Sequence, residues 1–124
     1  MILLLDAHAL LWWLADDATL EAGARAAIAS PANDVLVSAA TVWEIEIKRA
    51  LGKLEAPDGL VDAIDASSFQ ALPISLEDAE RSGRLPPHHR DPFDRMLVAQ
   101  AIVEQAILLS ADSVFAAYPV QVLG

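Results

Sequence analysis

The chain has no cysteine among its 124 residues, which excludes disulfides, zinc–thiolate sites and a cysteine nucleophile. It has no long apolar run either. Ile2-Leu3-Leu4-Leu5 stops at Asp6, far short of the roughly 20 residues that a bilayer crossing needs. A basic leader with a small-residue cleavage site is missing, so no secretory signal is expected. Repeats and low-complexity segments are also missing. These absences lead to the expectation of a cytoplasmic protein with no membrane segment.

Positive charge is scarce. Eight Lys and Arg stand against eighteen Asp and Glu, a net charge of −10, which argues against a basic patch that grips a polyanion. The placement of the cations qualifies this. Lys48, Arg49 and Lys53 follow Glu44, while Arg84, Arg90 and Arg95 surround Asp94 together with His88 and His89. Taken alone, each stretch reads as a solvated helix face or a polar loop. Apolar material, by contrast, is plentiful. At 55% hydrophobic residues, burial can offset the entropy of ordering the backbone. The length fits a single domain, residues 1–124.

Short apolar runs alternate with helical patterns along the chain. Ile2–Leu5 reads as a buried strand, followed by a helix over Ala7–Ala15 and another over Glu21–Ala29 that closes at Ser30-Pro31. Val35–Ser38 is a second strand. A helix from about Ala40 to Leu51 follows, stopped by Gly52. Leu60–Ala66 and Leu76–Gly83 read as helices, and Phe69–Ile74 as a short or edge strand because Pro73 does not suit a central one. Arg84–Asp91 is a polar loop. Pro92 opens a helix to about Gln105, then come a strand at Ile107–Ser110, a short helix at Ser113–Tyr118 and a strand at Val120–Leu123. Strands alternating with helices predict an α/β fold, its parallel sheet covered on both faces.

Four carboxylates stand out against this frame, each with an ordinary explanation. Asp6 and Asp112 follow strands and read as helix caps. Asp91 reads as an N-cap before Pro92, with Asp94 in the first turn facing the helix dipole. Glu44 can pair with Lys48 one turn on. Collectively they say more. Asp6 and Asp112 fall at the carboxyl ends of strands, where open parallel sheets bind ligands, and Glu44 can reach over the same edge. Asp94 fits less well, because a helix antiparallel to the strands is expected to place it opposite that edge. Converging carboxylates raise one another's pKa unless a cation lies between them. All-oxygen ligands without Cys suit Mg²⁺ or Mn²⁺, which can generate hydroxide and position a phosphodiester. His8, His88 and His89 read as structural or solvated side chains. Trp12, Trp13 and Trp43 read as core or dimer packing rather than base-stacking groups.

The motifs themselves carry a resemblance. Leu5-Asp6-Ala7-His8, Ser38 through Val42-Trp43-Glu44-Ile45, and Asp91-Pro92-Phe93-Asp94-Arg95-Met96-Leu97-Val98-Ala99-Gln100-Ala101 resemble the PIN-domain toxins of the VapC type. Lys48-Arg49-Ala50-Leu51-Gly52-Lys53-Leu54 and His88-His89-Arg90-Asp91 are similar to one subgroup of them. The resemblance covers essentially the whole chain. It implies a PIN-like three-layer α/β/α sandwich with a central, mainly parallel sheet. It also implies a Mg²⁺- or Mn²⁺-dependent ribonuclease whose acids are Asp6, Glu44 and Asp94, with Asp112 as the more variable fourth. Asp91 is extra and reads mainly as a helix cap. An RNA substrate, a cognate antitoxin and a homodimer are further implications. One departure is Ala7, which stands where many relatives carry a hydroxyl residue; Ser38 and Ser110 are the polar neighbours that remain.

Two other classes compete with this reading. A phosphoacceptor signalling domain also uses an acidic pocket on a parallel sheet, but it wants paired acids after the first strand and a late lysine. Here no lysine follows Lys53. A non-catalytic binding protein on the same fold is the second rival, and the intact acidic set speaks against it.

Overall fold

The computed structural model describes residues 1–124. Five strands, β1 (Ile2–Leu5), β2 (Asp34–Ser38), β3 (Gln70–Leu72), β4 (Ile107–Leu109) and β5 (Val122–Leu123), form one sheet in the order β3-β2-β1-β4-β5. Every neighbouring pair is parallel. Six helices connect them: α1 (Ala7–Leu14), α2 (Ala22–Ala29), α3 (Ala39–Ala50), α4 (Leu60–Ala66), α5 (Leu76–Arg84) and α6 (Pro92–Glu104). A 3-10 turn at Ser113–Ala117 precedes β5.

Alternation along the central strands divides the core into two layers. Leu3, Leu5, Val35 and Val37 pack with Leu10, Ile28, Ile45 and Ile64 from α1 to α4. Leu4, Leu36 and Leu108 face the other way and meet Leu97, Val98, Phe115 and Tyr118. The sandwich is therefore three-layered, as expected. Handedness explains which helix takes which face. The chain steps outward from β1 to β2 and β3 and then back across to β4, so right-handed crossovers place α5 and α6 on the opposite face from α1–α4. The direction reverses at β1, the strand that ends on Asp6.

Local boundaries follow recognisable chemistry. Gly52, with φ +71°, ends the turn after α3. Ser75 and Asp78 form a reciprocal capping box at the start of α5. The outer strands are shorter than expected. Pairing of β3 covers only Gln70–Leu72, at an edge and ahead of Pro73, and β5 pairs only at Val122–Leu123. The turn at Ser113 is 3-10 rather than α-helical.

Candidate metal centre

The carboxyl ends of β1 and β2 each run directly into a helix, and this positions the first two acids. Asp6 caps α1, its Oδ1 accepting the Ala9 N–H at 2.8 Å. Ser38 caps α3 in the same way, accepting from Ala40 at 3.0 Å. Glu44 then lies on the second turn of α3, buried, with Oε2 held by Lys48 Nζ at 2.7 Å. Both ordinary roles foreseen for these acids are thus present. Neither uses up the carboxylate, since each engages a single oxygen.

Asp94 lies at the same edge, contrary to the expectation that it would lie opposite. The physical reason is simple. Helix α6 runs antiparallel to the strands and ends where β4 begins, at the amino edge, so its N-terminus belongs to the carboxyl edge. The start of α6 accordingly contributes Asp91 and Asp94 to one hollow of about 130 Å³, shared with Asp6, Glu44 and Asp112. Ligand oxygens of Glu44, Asp91 and Asp94 come within 4.8 Å of one another.

Asp91 is the helix cap expected, and it also lies in the hollow. Its Oδ1 caps α6, accepting from Phe93 at 2.8 Å and Asp94 at 3.0 Å, while its other oxygen is free to face the cluster. The signal was its i, i+3 spacing from Asp94, which sets both carboxylates on one side of the first turn. Asp112 caps the 3-10 turn through the Val114 N–H at 3.0 Å and lies, exposed, on the rim of the hollow. Ser110, buried just past the end of β4, accepts the Asp112 N–H at 3.0 Å through its hydroxyl oxygen and pulls the Asp6 carboxyl down.

The electrostatics are those of an acidic cluster that one cation, Lys48, compensates only in part. Burial pushes the Asp94 carboxyl up to about 6, the charges of Asp91 and Glu44 add to this, and a hydrogen bond to His89 opposes it. Burial also raises Asp6, against the pull of Ser110 and the Ala9 N–H. His89 Nε2 lies 2.7 Å from Asp94 Oδ2. The hydrogen bond to Glu44 holds the Lys48 ammonium above its ordinary value, assisted by the charges of Asp91 and Asp94. Such a site, all carboxylate and short of positive charge, fits a hard divalent cation of the Mg²⁺ or Mn²⁺ kind.

Three of the other cations near the acids have partners elsewhere. Arg49 pairs with Asp58, and Arg84 with Glu80. Arg95 donates to the carbonyls of Ser82, Leu85, Pro86 and His89 at 2.9–3.1 Å, so it staples the loop before α6. Tyr118 assists, accepting from the His89 N–H at 3.0 Å and donating to the Pro86 carbonyl at 2.9 Å. His88 packs edge-on against the same tyrosine. Of the tryptophans, Trp13 packs on Phe69 beside the core, as expected. Trp43 is 59% exposed and stands edge-on to Phe93, so it is not a core residue of this chain.

A family model described as the PIN domain matches residues 3–121. The chain belongs to the PIN domain family. PIN domains are nucleases, and solved structures agree on the fold. A complex from Rickettsia felis, VapBC2 bound to a DNA fragment from its promoter, superposes with a TM-score of 0.73 at 15% identity, covering 99% of this chain and 98% of that one. A toxin–antitoxin complex from Klebsiella pneumoniae gives 0.63 at 22% identity, over 98% and 95% of the two chains. VapBC-5 from Mycobacterium tuberculosis gives 0.62 at 18% identity, over 98% and 97%. No curated protein sequence matches. This PIN domain thus carries its acids at the reversal point of a parallel sheet, where α/β folds bind ligands.

Proposed function

We propose that this PIN domain is a metal-dependent endoribonuclease and the toxin of a toxin–antitoxin pair. The observation that carries the reading is the convergence of Asp6, Glu44, Asp91, Asp94 and Asp112 on one hollow at the carboxyl edge of the sheet. Asp6, Glu44 and Asp94 are the principal metal ligands in this reading. Asp112 is the fourth, and Asp91 shares the load through its free oxygen. When bound, Mg²⁺ or Mn²⁺ supplies a Lewis acid that activates the attacking water and neutralises the phosphodiester. The protein's own part is positional. Helix caps fix Asp6 and Asp91, Lys48 orients Glu44, and His89 orients Asp94.

The toxin role is supported by the structural relatives, which were solved as toxin–antitoxin complexes. A cognate antitoxin, an RNA substrate and a homodimer complete the proposal. The test uses purified protein, free of any bound partner, with mixed tRNA and ribosomal RNA, in Mg²⁺, in Mn²⁺ and in chelator. Discrete cleavage is expected only with metal. Asp6→Asn and Asp94→Asn are expected to lower it at least a hundredfold while the circular dichroism spectrum is retained. Normal cleavage by both variants would remove the site assignment.

A further inference from the structure

We propose that the His8–Trp12 face of α1 is a stacking subsite for one unpaired nucleobase beside the phosphodiester at the acidic hollow. This inference rests on the nuclease reading above. It starts from the cap at Asp6, which fixes where α1 begins. His8 and Trp12 are four residues apart and therefore share one face of that helix. Their rings lie 5.7 Å apart with a tilt of 38°. Both side chains line the hollow that holds the five carboxylates.

Trp12 differs from the chain's other tryptophans in this placement. Trp13 packs on Phe69 and Trp43 on Phe93, whereas Trp12 joins the acids. It is half-buried, anchored on one side against the core packed under α1–α4. An indole held in this way presents a rigid wall rather than a mobile side chain.

Charge explains what that wall would attract. The one cation lining the hollow, Lys48, is hydrogen-bonded to Glu44 at 2.7 Å. An approaching nucleic acid therefore finds few free cations for its backbone there. Its bases are the neutral part, and their π-faces stack on aromatic side chains without regard to charge. The hollow, at about 130 Å³, is smaller than the roughly 300–1,000 Å³ of a ligand pocket that encloses a drug-sized molecule. It suits one phosphate and the edge of one ring. A base inside a duplex has both faces covered by its neighbours, so the subsite selects single-stranded or looped segments.

The test measures binding of mixed-sequence RNA 10-mers to the full chain in Ca²⁺, which serves as an oxygen-liganded stand-in for the native cation. The RNAs are single-stranded, duplex, or single-stranded with one abasic position stepped along the sequence. The wild-type protein should bind the single strand at least tenfold tighter than the duplex. Trp12→Leu, which keeps apolar volume against the core, should weaken single-strand binding roughly tenfold, and Trp12→Phe should restore most of it. At one abasic position the loss caused by Trp12→Leu should vanish, because variant and lesion remove the same contact. Equal losses on intact RNA and at every abasic position, or duplex binding as tight as single-strand binding, would overturn the subsite. Metal-dependent cleavage by the wild type with unchanged binding by Trp12→Leu would remove the subsite and leave the nuclease reading standing. A wild type that neither binds nor cleaves any RNA would remove both.

Discussion

Asp94 shows how a single residue can oppose folding in order to serve a site. Its carboxyl, pushed up to about 6 chiefly by burial, would titrate near 3.8 when unfolded. Between those values the folded chain holds a proton that the unfolded chain has released. The sign follows from linkage. Relative to a neutral side chain, stability is intact below pH 4, falls as pH rises through the window, and above pH 6 is lower by about 1–3 kcal/mol once solvent screening is allowed for. Metal-free Asp94→Asn should therefore melt higher than the wild type at pH 7.5 and near it at pH 4. Added Mn²⁺ should reverse the order at pH 7.5 by stabilising the wild type alone. A variant that melts lower at both pH values would contradict the account. Protons and metal compete for the same oxygens, so Mn²⁺ affinity should fall as pH drops below about 6. His89 acts on the same carboxylate through Oδ2. Removing the ring in His89→Ala should weaken Mn²⁺ binding about 10- to 100-fold, the usual scale for a partner that orients a metal ligand. Isothermal titration at pH 7.5 would measure it, and an unchanged affinity would deny His89 a positioning role.

At the level of elements, the loop between α5 and α6 decides whether Asp91 and Asp94 stay in place. Arg95 reaches back from the first turns of α6 to four carbonyls, two of them on the last turn and cap of α5. The Ser82 carbonyl otherwise receives only a long bond of 3.5 Å from the Leu85 N–H, and carbonyls at a helix end need donors from outside the helix. Lysine offers one compact donor group and cannot span the set. Arg95→Lys should therefore cost about 1–3 kcal/mol, read as a lower denaturant midpoint and faster proteolysis within residues 85–90. Equal midpoints and equal proteolysis would show that the staple adds nothing. The same loop marks where the sequence was readable and where it was not. Strand ends were legible, because strands buried on both faces are wholly apolar and stop at the first polar residue, which put Asp6 and Asp112 at the correct edge. Periodicity likewise located all six helices to within a residue or two. For Asp94 the motif is clear and only the topology is ambiguous, because its edge depends on which end of α6 meets the next strand. Asp91 looked sufficient as a cap, and only the folded chain reveals that capping occupies one oxygen. The cations were misleading for a different reason. Their partners, Asp58 for Arg49 and distant carbonyls for Arg95, are brought to them by folding and leave no pattern in the local sequence. Exposure of Trp43 was equally hidden, since its spacing on α3 is that of a core residue.

For the molecule as a whole, the unusual property is an acidic surface on a protein proposed to cut a polyanion. The net charge is −10. Of its eight cations, Arg25, Lys48, Arg49 and Arg84 are in ion pairs and Arg95 is tied to the backbone. Lys53, Arg81 and Arg90 are left without a carboxylate partner. Conventional nucleic-acid binding depends on releasing counterions from many neutralised phosphates, and its affinity falls steeply with salt. Such a mechanism has little to work with here. Affinity instead has to come from divalent cations at the acidic hollow and from contacts that carry no charge. The expected signature is binding that requires a divalent ion at every salt concentration. With that ion fixed, the logarithm of the affinity should fall with the logarithm of KCl at a slope no steeper than about −2, equivalent to two or three single-strand phosphates. Fluorescence anisotropy with a labelled single-stranded RNA, from 50 to about 300 mM KCl where the screening length falls from about 14 to about 6 Å, would measure it. A slope of about −5, or tight binding in chelator, would mean that a basic surface forms after all. The exposed pairs of Arg84 and Arg49 are weak enough to exchange partners, so Arg84→Ala and Arg49→Ala would then reveal which cations had changed partners.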